Sequence, residues 1–196
     1  MMDEKKSLAR KACLWLGVGL ITFAAITLIL WSWNIYSAQN KSEKIVETIN
    51  SLTPEAVNAV PEERIDNAMP VLSVDGTDFV GVIEMPRYGS SLPMCNKWGS
   101  VTEYPCRFNG SIYDGSLVVG ATSQKGEYDF YREISVGDTV VLTDMEGNRY
   151  TLAVTDLRYE KSADETALKR NDSLLTLFIK NVYGFDYLVV SCDLPK

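Results

Sequence analysis

The sequence predicts a mainly β domain that follows one N-terminal transmembrane helix, on two observations. From Leu72 onward, short runs of Val, Ile, Leu and aromatic residues are separated by turn residues such as Asp75-Gly76, as in strands joined by tight turns. Ala12 to Ile35 contains no Asp, Glu, Lys or Arg, and a helix of this length would span roughly 36 Å, enough for a hydrocarbon core of about 30 Å. We therefore expect a closed or nearly closed β-barrel with short helices in its connections.

The apolar run from Ala12 to Ile35 indicates an uncleaved membrane anchor. It is longer than the apolar core of about 7 to 15 residues that is usual in a cleaved signal peptide. Trp31 and Trp33 suit the outer membrane interface, and positive charges that flank a span stay on the cytoplasmic side. The flanking charges all precede the run: Lys5, Lys6, Arg10 and Lys11. The N-terminus is therefore expected in the cytoplasm and the rest of the chain outside the cell.

This interpretation divides the chain into four segments: a basic cytoplasmic tail at 1–11, the transmembrane helix at 12–35, an extracellular stalk at 36–70 and the β domain at 71–196. The formal net charge is −7, and the part after residue 35 carries 15 basic and 24 acidic side chains. So acidic an external part argues against nucleic acid or anionic lipid as a partner.

The predicted stalk contains signals for short helices. Ser42 to Ile49 has apolar residues at helical spacing, and Thr53-Pro54-Glu55 has the pattern of an N-cap followed by Pro at the first helical position. Pro61 and Pro70 would interrupt any longer helix. We therefore expect several short helices between the membrane and the β domain.

Two hairpins are the clearest elements of the β domain. Leu174 to Ile179 and Tyr187 to Ser191 read as strands joined by a turn that contains Gly184. Val136 to Asp144 and Asn148 to Val154 alternate well around Met145-Glu146-Gly147.

Two connections of the β domain are predicted to be helical. Gly126 to Ile134 could form a short helix, and Ser162 to Glu165 is a capping-box pattern that would start another, ending near Lys169 to Asp172.

The chain contains no His and four Cys. A Cys–His catalytic pair is therefore excluded, and a zinc site is not expected without His or a CxxC pair. Cys13 lies in the apolar run, whereas Cys95, Cys106 and Cys192 lie outside the membrane, where a disulfide can persist. Three different single bridges among these are open to the sequence. No metal or cofactor is expected.

Leu72 to Cys192 resembles the sortases, the cell-wall transpeptidases of Gram-positive bacteria. In that family the penultimate strand ends Leu-Thr-Leu-x-Thr-Cys, whose Cys is the nucleophile, and this chain has Leu175-Thr176-Leu177-Phe178-Ile179-Lys180. The family carries a His after a strand that resembles Leu117 to Ala121, where Thr122 stands, and an Arg where Tyr187 falls. The resemblance therefore implies a sortase-like β-barrel in which the positions of the reactive His, Cys and Arg are Thr122, Lys180 and Tyr187. The Asp-Pro-aromatic plug of some pilin-building sortases is absent from the sequence.

These replacements predict that the chain has no catalytic residues of the sortase kind. A Thr hydroxyl does not relay a proton near neutral pH as imidazole does. Acyl transfer to Lys180 would give an amide, which would not turn over. Tyr187 keeps a donor but lacks the fixed charge of Arg. Loss of a nucleophile and its base can cost on the order of 10⁶ in rate, so the resemblance predicts a pseudoenzyme.

Three functions remain open at the sequence level. The first is a cell-surface module that binds a sorting-signal peptide, a surface protein or a pilin, with Lys180 offering its charge to a carboxylate. The second is an active transpeptidase or hydrolase that uses Lys180 or Cys95 as nucleophile with Asp186 nearby. The third is an accessory subunit that docks on an active sortase or a pilus assembly site.

The resemblance also implies a disulfide between Cys106 and Cys192, because relatives of this type have a Cys at both places. Cys95 would then be a loop thiol.

Overall fold

The computed structural model of the protein describes residues 2–97, 104–124, 126–161 and 173–195, with side chains described for 15–33 and from 40 onward. The chain forms two compact units, Met1–Gln39 and Asn40–Lys196. The helix predicted to start at Ser162 lies outside the described residues.

The N-terminal element is one long helix, α1, at Met2–Leu52. Its stretch Trp15–Trp33 has a mean hydropathy of 1.9 and is long and apolar enough to cross a membrane. The large apolar side chains of this stretch are exposed, as Phe23 and Ile21 illustrate. The prediction of an N-terminal apolar helix of membrane-spanning length is thus confirmed.

In the described part of the second unit, the last turns of α1 are followed by ten strands and a short 3₁₀ helix at Pro86–Tyr88. The strands are β1 at Val57–Asn58, β2 at Leu72–Val74, β3 at Thr77–Met85, β4 at Ser90–Cys95, β5 at Cys106–Asn109, β6 at Leu117–Thr122, β7 at Thr139–Asp144, β8 at Asn148–Glu160, β9 at Leu175–Lys180 and β10 at Tyr187–Asp193.

Eight of these strands close into a barrel. The pairing runs β3-β4-β5-β6-β9-β10-β8-β7, and β7 pairs with β3 to complete the ring. Closure removes the free edges that an open sheet would present. The predicted mainly β barrel is confirmed, and both hairpins predicted from the sequence are present as β7–β8 and β9–β10.

The barrel wall separates two sets of apolar side chains, since neighbours along a strand point to opposite faces. Leu177 and Ile179 on β9 point into the interior core together with Val119 and Ala121 on β6. The alternate residues form a smaller cluster on the outer face, whose buried members are Val118, Phe178 and Val189 and whose partly buried members are Phe108 and Tyr187. β6 and β9 therefore bury apolar residues on both faces.

The expected stalk of short helices is wrong in its first part, because α1 continues to Leu52. Ile45 and Ile49 on the last turns of α1 are buried against the barrel in a cluster that includes Phe79. The pattern at Thr53-Pro54 ends this helix instead of starting another: Thr53 donates from its amide and from Oγ1 to the carbonyl of Ile49, each over 2.9 Å. Pro54 then disfavours continuation of the helix.

The segment after α1 follows the barrel surface. β1 pairs in parallel with the start of β8. Arg64 then stacks on Tyr113, with its guanidinium carbon 3.8 Å from the ring centre, and forms an ion pair with Glu146 over 2.7 Å. These contacts lie at the β7–β8 turn, away from the carboxyl ends of β6 and β9.

Gly126 to Ile134 does not form the expected helix. It consists of successive turns, each closed by a hydrogen bond between residues three apart in sequence. The amide of Tyr131 donates to the carbonyl of Tyr128 over 3.0 Å, and the amide of Glu133 donates to the carbonyl of Phe130 over 2.8 Å. Burial of Tyr128 and Tyr131 in the interior core fixes this path. Side-chain packing thus determines the path of this segment.

The disulfide implied by the resemblance is also wrong. The bridge joins Cys95 to Cys106, whose Cα atoms lie 4.5 Å apart, because the two residues are direct neighbours where β4 pairs with β5. Cys192 is a free, buried cysteine on β10, where it is paired with Leu175. Its side chain belongs to the interior core, on another side of the barrel.

Candidate functional site

Thr122, Lys180 and Tyr187 lie side by side at one end of the barrel. β6 and β9 are parallel and end together, with Thr122 paired to Lys180. Tyr187 starts β10 and is paired with Lys180, and Glu160 on β8 is paired with Tyr187 in turn. Paired residues on adjacent strands are about 5 Å apart and point to the same face. The three positions singled out from the sequence thus form a continuous row, which we call the end row, with Glu160 as its fourth member.

Thr122 is buried, and its hydroxyl is engaged in the turn that follows β6. Its Oγ1 makes a short hydrogen bond with Glu127 Oε2 and lies 3.5 Å from the amide of Gln124, which donates to it. The carbonyl of Thr122 accepts from the amide of Tyr128 over 3.3 Å. The threonine therefore organises the turn.

Glu127 is a buried carboxyl beside the end row that the sequence did not single out. Burial raises its pKa to about 7, and hydrogen bonds from Thr122 and Gln124 oppose the shift without cancelling it. Its second oxygen, Oε1, has no hydrogen-bond partner. A sequence signal for this residue is lacking, because its burial depends on the turn that follows β6.

Lys180 is exposed at the end of β9, while its backbone is fixed. Its carbonyl accepts from the amide of Ser123 over 2.9 Å, and Ser123 Oγ accepts from the amide of Val182 over 3.1 Å. These two bonds connect the ends of β6 and β9. The ammonium group is thereby presented to solvent from a rigid position.

Tyr187 packs against the outer apolar cluster. Its ring centre lies 6.3 Å from that of Phe178, and Phe178 in turn meets Phe108 edge to face at 5.5 Å. The end row is thus bordered along the strands by aromatic side chains on the same outer face.

The turn between β9 and β10 displays three apolar side chains next to the end row. Tyr183 is 85% exposed, Phe185 is 97% exposed and Val182 is 41% exposed. The turn is held by Asn181, whose Oδ1 accepts from the amide of Tyr183 over 3.0 Å and whose Nδ2 donates to Asp186 Oδ1 over 2.9 Å. Exposed aromatics on so well-bonded a turn were not anticipated from the sequence.

The cysteines do not supply a nucleophile at the end row. Cys95, a candidate from the sequence, is bonded to Cys106. Burial raises the pKa of the Cys192 thiol, which keeps it protonated and unreactive. Asp186, the proposed helper of Cys95 or Lys180, uses its carboxylate to hold the β9–β10 turn through Asn181. Among the described residues, no exposed thiol lies near Lys180.

The described residues do not form a metal centre. They contain no group of three or more Cys, Asp or Glu placed to hold a metal ion. A cavity of about 270 Å³ is present under the segment after α1, and it is lined in part by Glu62, Arg64, Tyr113 and Asn148. Asn148 starts β8, whereas the end row lies where β8 finishes. This cavity is therefore separate from the end row.

The comparisons with known proteins identify the fold. No family model and no curated protein match the chain. Among solved structures, sortase C1 from Streptococcus agalactiae matches at 19% identity over 63% of this chain and 72% of that one, with a TM-score of 0.52. Sortase C1 from Streptococcus suis matches at 15% identity over 60% and 74%, also at 0.52. Sortase A from Corynebacterium diphtheriae matches at 12% identity over 83% and 84%, at 0.53. The chain has a sortase-like fold.

Proposed function

We propose that this chain, which has a sortase-like fold, is a membrane-anchored cell-surface protein that binds a peptide and does not catalyse transpeptidation. The observation that carries the proposal is the end row itself. Thr122, Lys180 and Tyr187 occupy neighbouring strand ends, and none of them is a thiol or an imidazole.

Covalent turnover needs a nucleophile that is also a tolerable leaving group, and a group that moves the proton. The hydroxyl of Thr122 is engaged with Glu127 and buried. An acyl group on Lys180 would be held as an amide. The side chains of the end row can therefore hold a ligand more readily than they can cleave and release one.

Membrane anchoring is supported by α1, whose apolar stretch at Trp15–Trp33 is of spanning length. By the positive-inside rule, the basic residues that precede this stretch support a cytoplasmic N-terminus and a barrel outside the cell. A domain tethered in this way meets ligands at the cell surface.

Peptide binding is supported by the outer face beside the end row. Phe178 and Val189 are buried within the outer cluster, so an extended peptide would contact the exposed side chains next to it, namely Tyr183 and Phe185 on the β9–β10 turn and the Lys180 ammonium as a hydrogen-bond donor. The resemblance to sortases makes a sorting-signal peptide, carried by a surface protein or a pilin, the first ligand to test.

The test uses the full chain in detergent micelles, incubated with a library of sorting-signal peptides, with intact mass and binding read together. Binding without a mass change supports the proposal. A covalent adduct or a cleaved peptide would favour the active enzyme, and mapping of the adduct to Lys180 would identify its nucleophile. Lys180→Ala should weaken binding, whereas the matched control Lys97→Ala, an exposed lysine on another loop, should not.

A second function, docking on an active sortase or a pilus assembly site, is favoured by the exposure of Tyr183 and Phe185 on the β9–β10 turn. Exposed aromatic side chains are typical anchors of protein interfaces. A photo-crosslinking residue at position 185, in native membranes, should capture a sortase or surface protein, while the same residue at exposed Val57 should not. Failure to recover such a partner from position 185 would count against docking.

A further inference from the structure

We propose that Arg158 binds the carboxylate of the peptide ligand on the outer face of the barrel. The inference rests on the proposed peptide-binding function and adds to it the residue that recognises the ligand's charged group.

Arg158 lies one step along the strands from the end row and on the same face. It is paired with Val189 on β10, which is paired with Phe178 on β9. Val189 and Phe178 are both members of the outer apolar cluster, and directly paired residues share a face. The neighbour Leu157 is instead packed against the interior core. Arg158 is thus a cation on the outer face.

One edge of the Arg158 guanidinium makes no hydrogen bond with the residues that the structure describes. Nε and Nη2 are shielded from solvent and make no hydrogen bond. Nε lies 3.2 Å from Asp156 Oδ2, an ion pair without the alignment of a hydrogen bond. These two nitrogens carry parallel N–H groups on one side of the guanidinium, an arrangement that can donate to both oxygens of a carboxylate.

The other arginines whose side chains are described are satisfied differently. Each has a hydrogen bond or an ion pair with a named partner and none leaves a buried nitrogen unbonded: Arg64 with Glu146, Arg87 with Asp138, Arg107 with Asn96, Arg132 with Tyr131 and Arg149 with Glu84. An unpaired donor shielded from water is costly, and more so when it is charged. Arg158 therefore differs from the other described arginines: two of its shielded nitrogens make no hydrogen bond with a described residue, and its one charged partner, Asp156, lies out of hydrogen-bond alignment.

The surroundings of Arg158 favour a single carboxylate over a larger anion. Asp156 precedes it by two residues on the same strand and Glu160 follows by two, so both neighbours on the outer face are acidic. Two acidic neighbours would repel an anion that carries several charges. A single carboxylate needs only the edge of the guanidinium formed by Nε and Nη2. Its side chain remains 21% exposed, which leaves a route for rotation toward the ligand.

The position of Arg158 also bears on the replacement at Tyr187. The resemblance to sortases places an Arg at Tyr187, and Arg158 is a diagonal neighbour of Tyr187 on β8, about 7 to 8 Å away in Cα position. The outer face therefore retains a guanidinium on the adjacent strand, where it serves binding without standing at the former catalytic position.

The test measures binding of the full chain to sorting-signal peptides synthesised in three forms: a free C-terminal carboxylate, a C-terminal amide, and a C-terminal amide with one internal Glu. We expect a carboxylate form to bind about tenfold or more tightly than the plain amide, because a charge-assisted hydrogen bond is lost with the charge. The form that gains shows whether the carboxylate comes from the chain end or from a side chain. Arg158→Gln should abolish the preference, and the matched control Arg132→Gln should preserve it.

Equal binding of all three forms, or a preference that survives Arg158→Gln, would overturn the inference and leave the peptide-binding function standing. If no peptide binds, the proposed function fails, and Arg158 is tested separately by titration with sodium acetate. The Nε–Hε resonance of Arg158, assigned by its loss in Arg158→Lys, should then shift and saturate. An unshifted resonance would overturn the assignment of Arg158. The lysine variant keeps the charge, so a gross loss of fold is not expected to confuse the result.

Discussion

Lys180 and Thr122 are directly paired at the carboxyl ends of two parallel strands, and the amide of Ser123 closes the pair by donating to the carbonyl oxygen of Lys180 over 2.9 Å. The exposed side chain at position 180 therefore extends from a backbone that two strands hold in place. A different side chain at that position would be presented at the same place on the outer face.

The first prediction is that a cysteine introduced by Lys180→Cys is reactive while the native Cys192 is not. The substitution is made in a Cys13→Ser background, so that Cys192 is the only native free thiol. Position 180 is exposed, whereas burial raises the pKa of the Cys192 thiol and denies access to reagents. Intact mass after brief treatment with iodoacetamide should show one added group in the variant and none in the background protein.

Unfolding supplies the control for this experiment. In denaturant, the background protein should gain one group at Cys192. Rapid labelling of Cys192 in the folded background protein would contradict its burial in the interior core.

The second prediction concerns the bridge between Cys95 and Cys106. A non-reducing peptide map should connect these two residues, and the map should be unchanged in Cys192→Ala. The double variant Cys95→Ser/Cys106→Ser should lose about 3 kcal/mol of unfolding free energy, since the bridge closes a loop with a sequence separation of 11. A cross-linked peptide that contains Cys192 would show that the bridge is misassigned.

The third prediction concerns Asp144, a fully buried carboxylate at the β7–β8 turn. It accepts from Tyr113 Oη over 2.7 Å, from Asn148 Nδ2 over 2.9 Å and from the amides of Glu146 and Asn148, each over 2.9 Å. Asp144→Ala leaves these buried donors unpaired and should cost roughly 3 kcal/mol or more. Glu146→Ala removes an exposed carboxylate that contacts Arg64 and accepts weakly from Asn148, and should cost less than about 1 kcal/mol. Chemical denaturation of both variants measures the difference, and similar losses would contradict the role given to Asp144.

The sequence predicted the β9–β10 hairpin because two short apolar runs around a turn that contains Gly184 are local signals. The same local pattern, aligned by resemblance, located the end-row positions Thr122, Lys180 and Tyr187, which the strand register then brought together. Each of these inferences depended on residues close in sequence.

Other features depend on contacts between distant segments. The pairing of Cys95 with Cys106 follows from the contact between β4 and β5, which no local pattern indicates. The extension of α1 to Leu52 is stabilised by burial of Ile49 against residues such as Phe79, far along the chain. Likewise, the position of Arg158 next to Val189 on the outer face follows only from the pairing of β8 with β10. The disulfide, the end of α1 and the position of Arg158 depend on side-chain packing and strand register, which local sequence patterns do not reveal.

The last prediction follows from the buried carboxyl of Glu127. Its pKa is raised to about 7 by burial, from an ordinary value of 4.5. The folded state thus holds a proton that the unfolded chain releases, so the contribution of Glu127 to the unfolding free energy is greatest below about pH 4.5, falls as the pH rises toward 7, and levels off above it. The full loss is roughly 3 kcal/mol. Because the chain contains no His, no histidine titrates in this window.

Urea unfolding of the full chain in micelles, repeated from pH 4.5 to 8.5, measures this slope. Glu127→Gln keeps a neutral group that can hydrogen-bond Thr122, so it should remove most of the slope between pH 4.5 and 7 and should make the protein more stable than the native chain above pH 7. The matched variant Glu133→Gln changes an exposed carboxylate in the same segment and should leave the slope intact. A slope that persists in Glu127→Gln would mean that another group is protonated on folding, and Glu127 would then be ionised in the folded protein despite its burial beside Thr122.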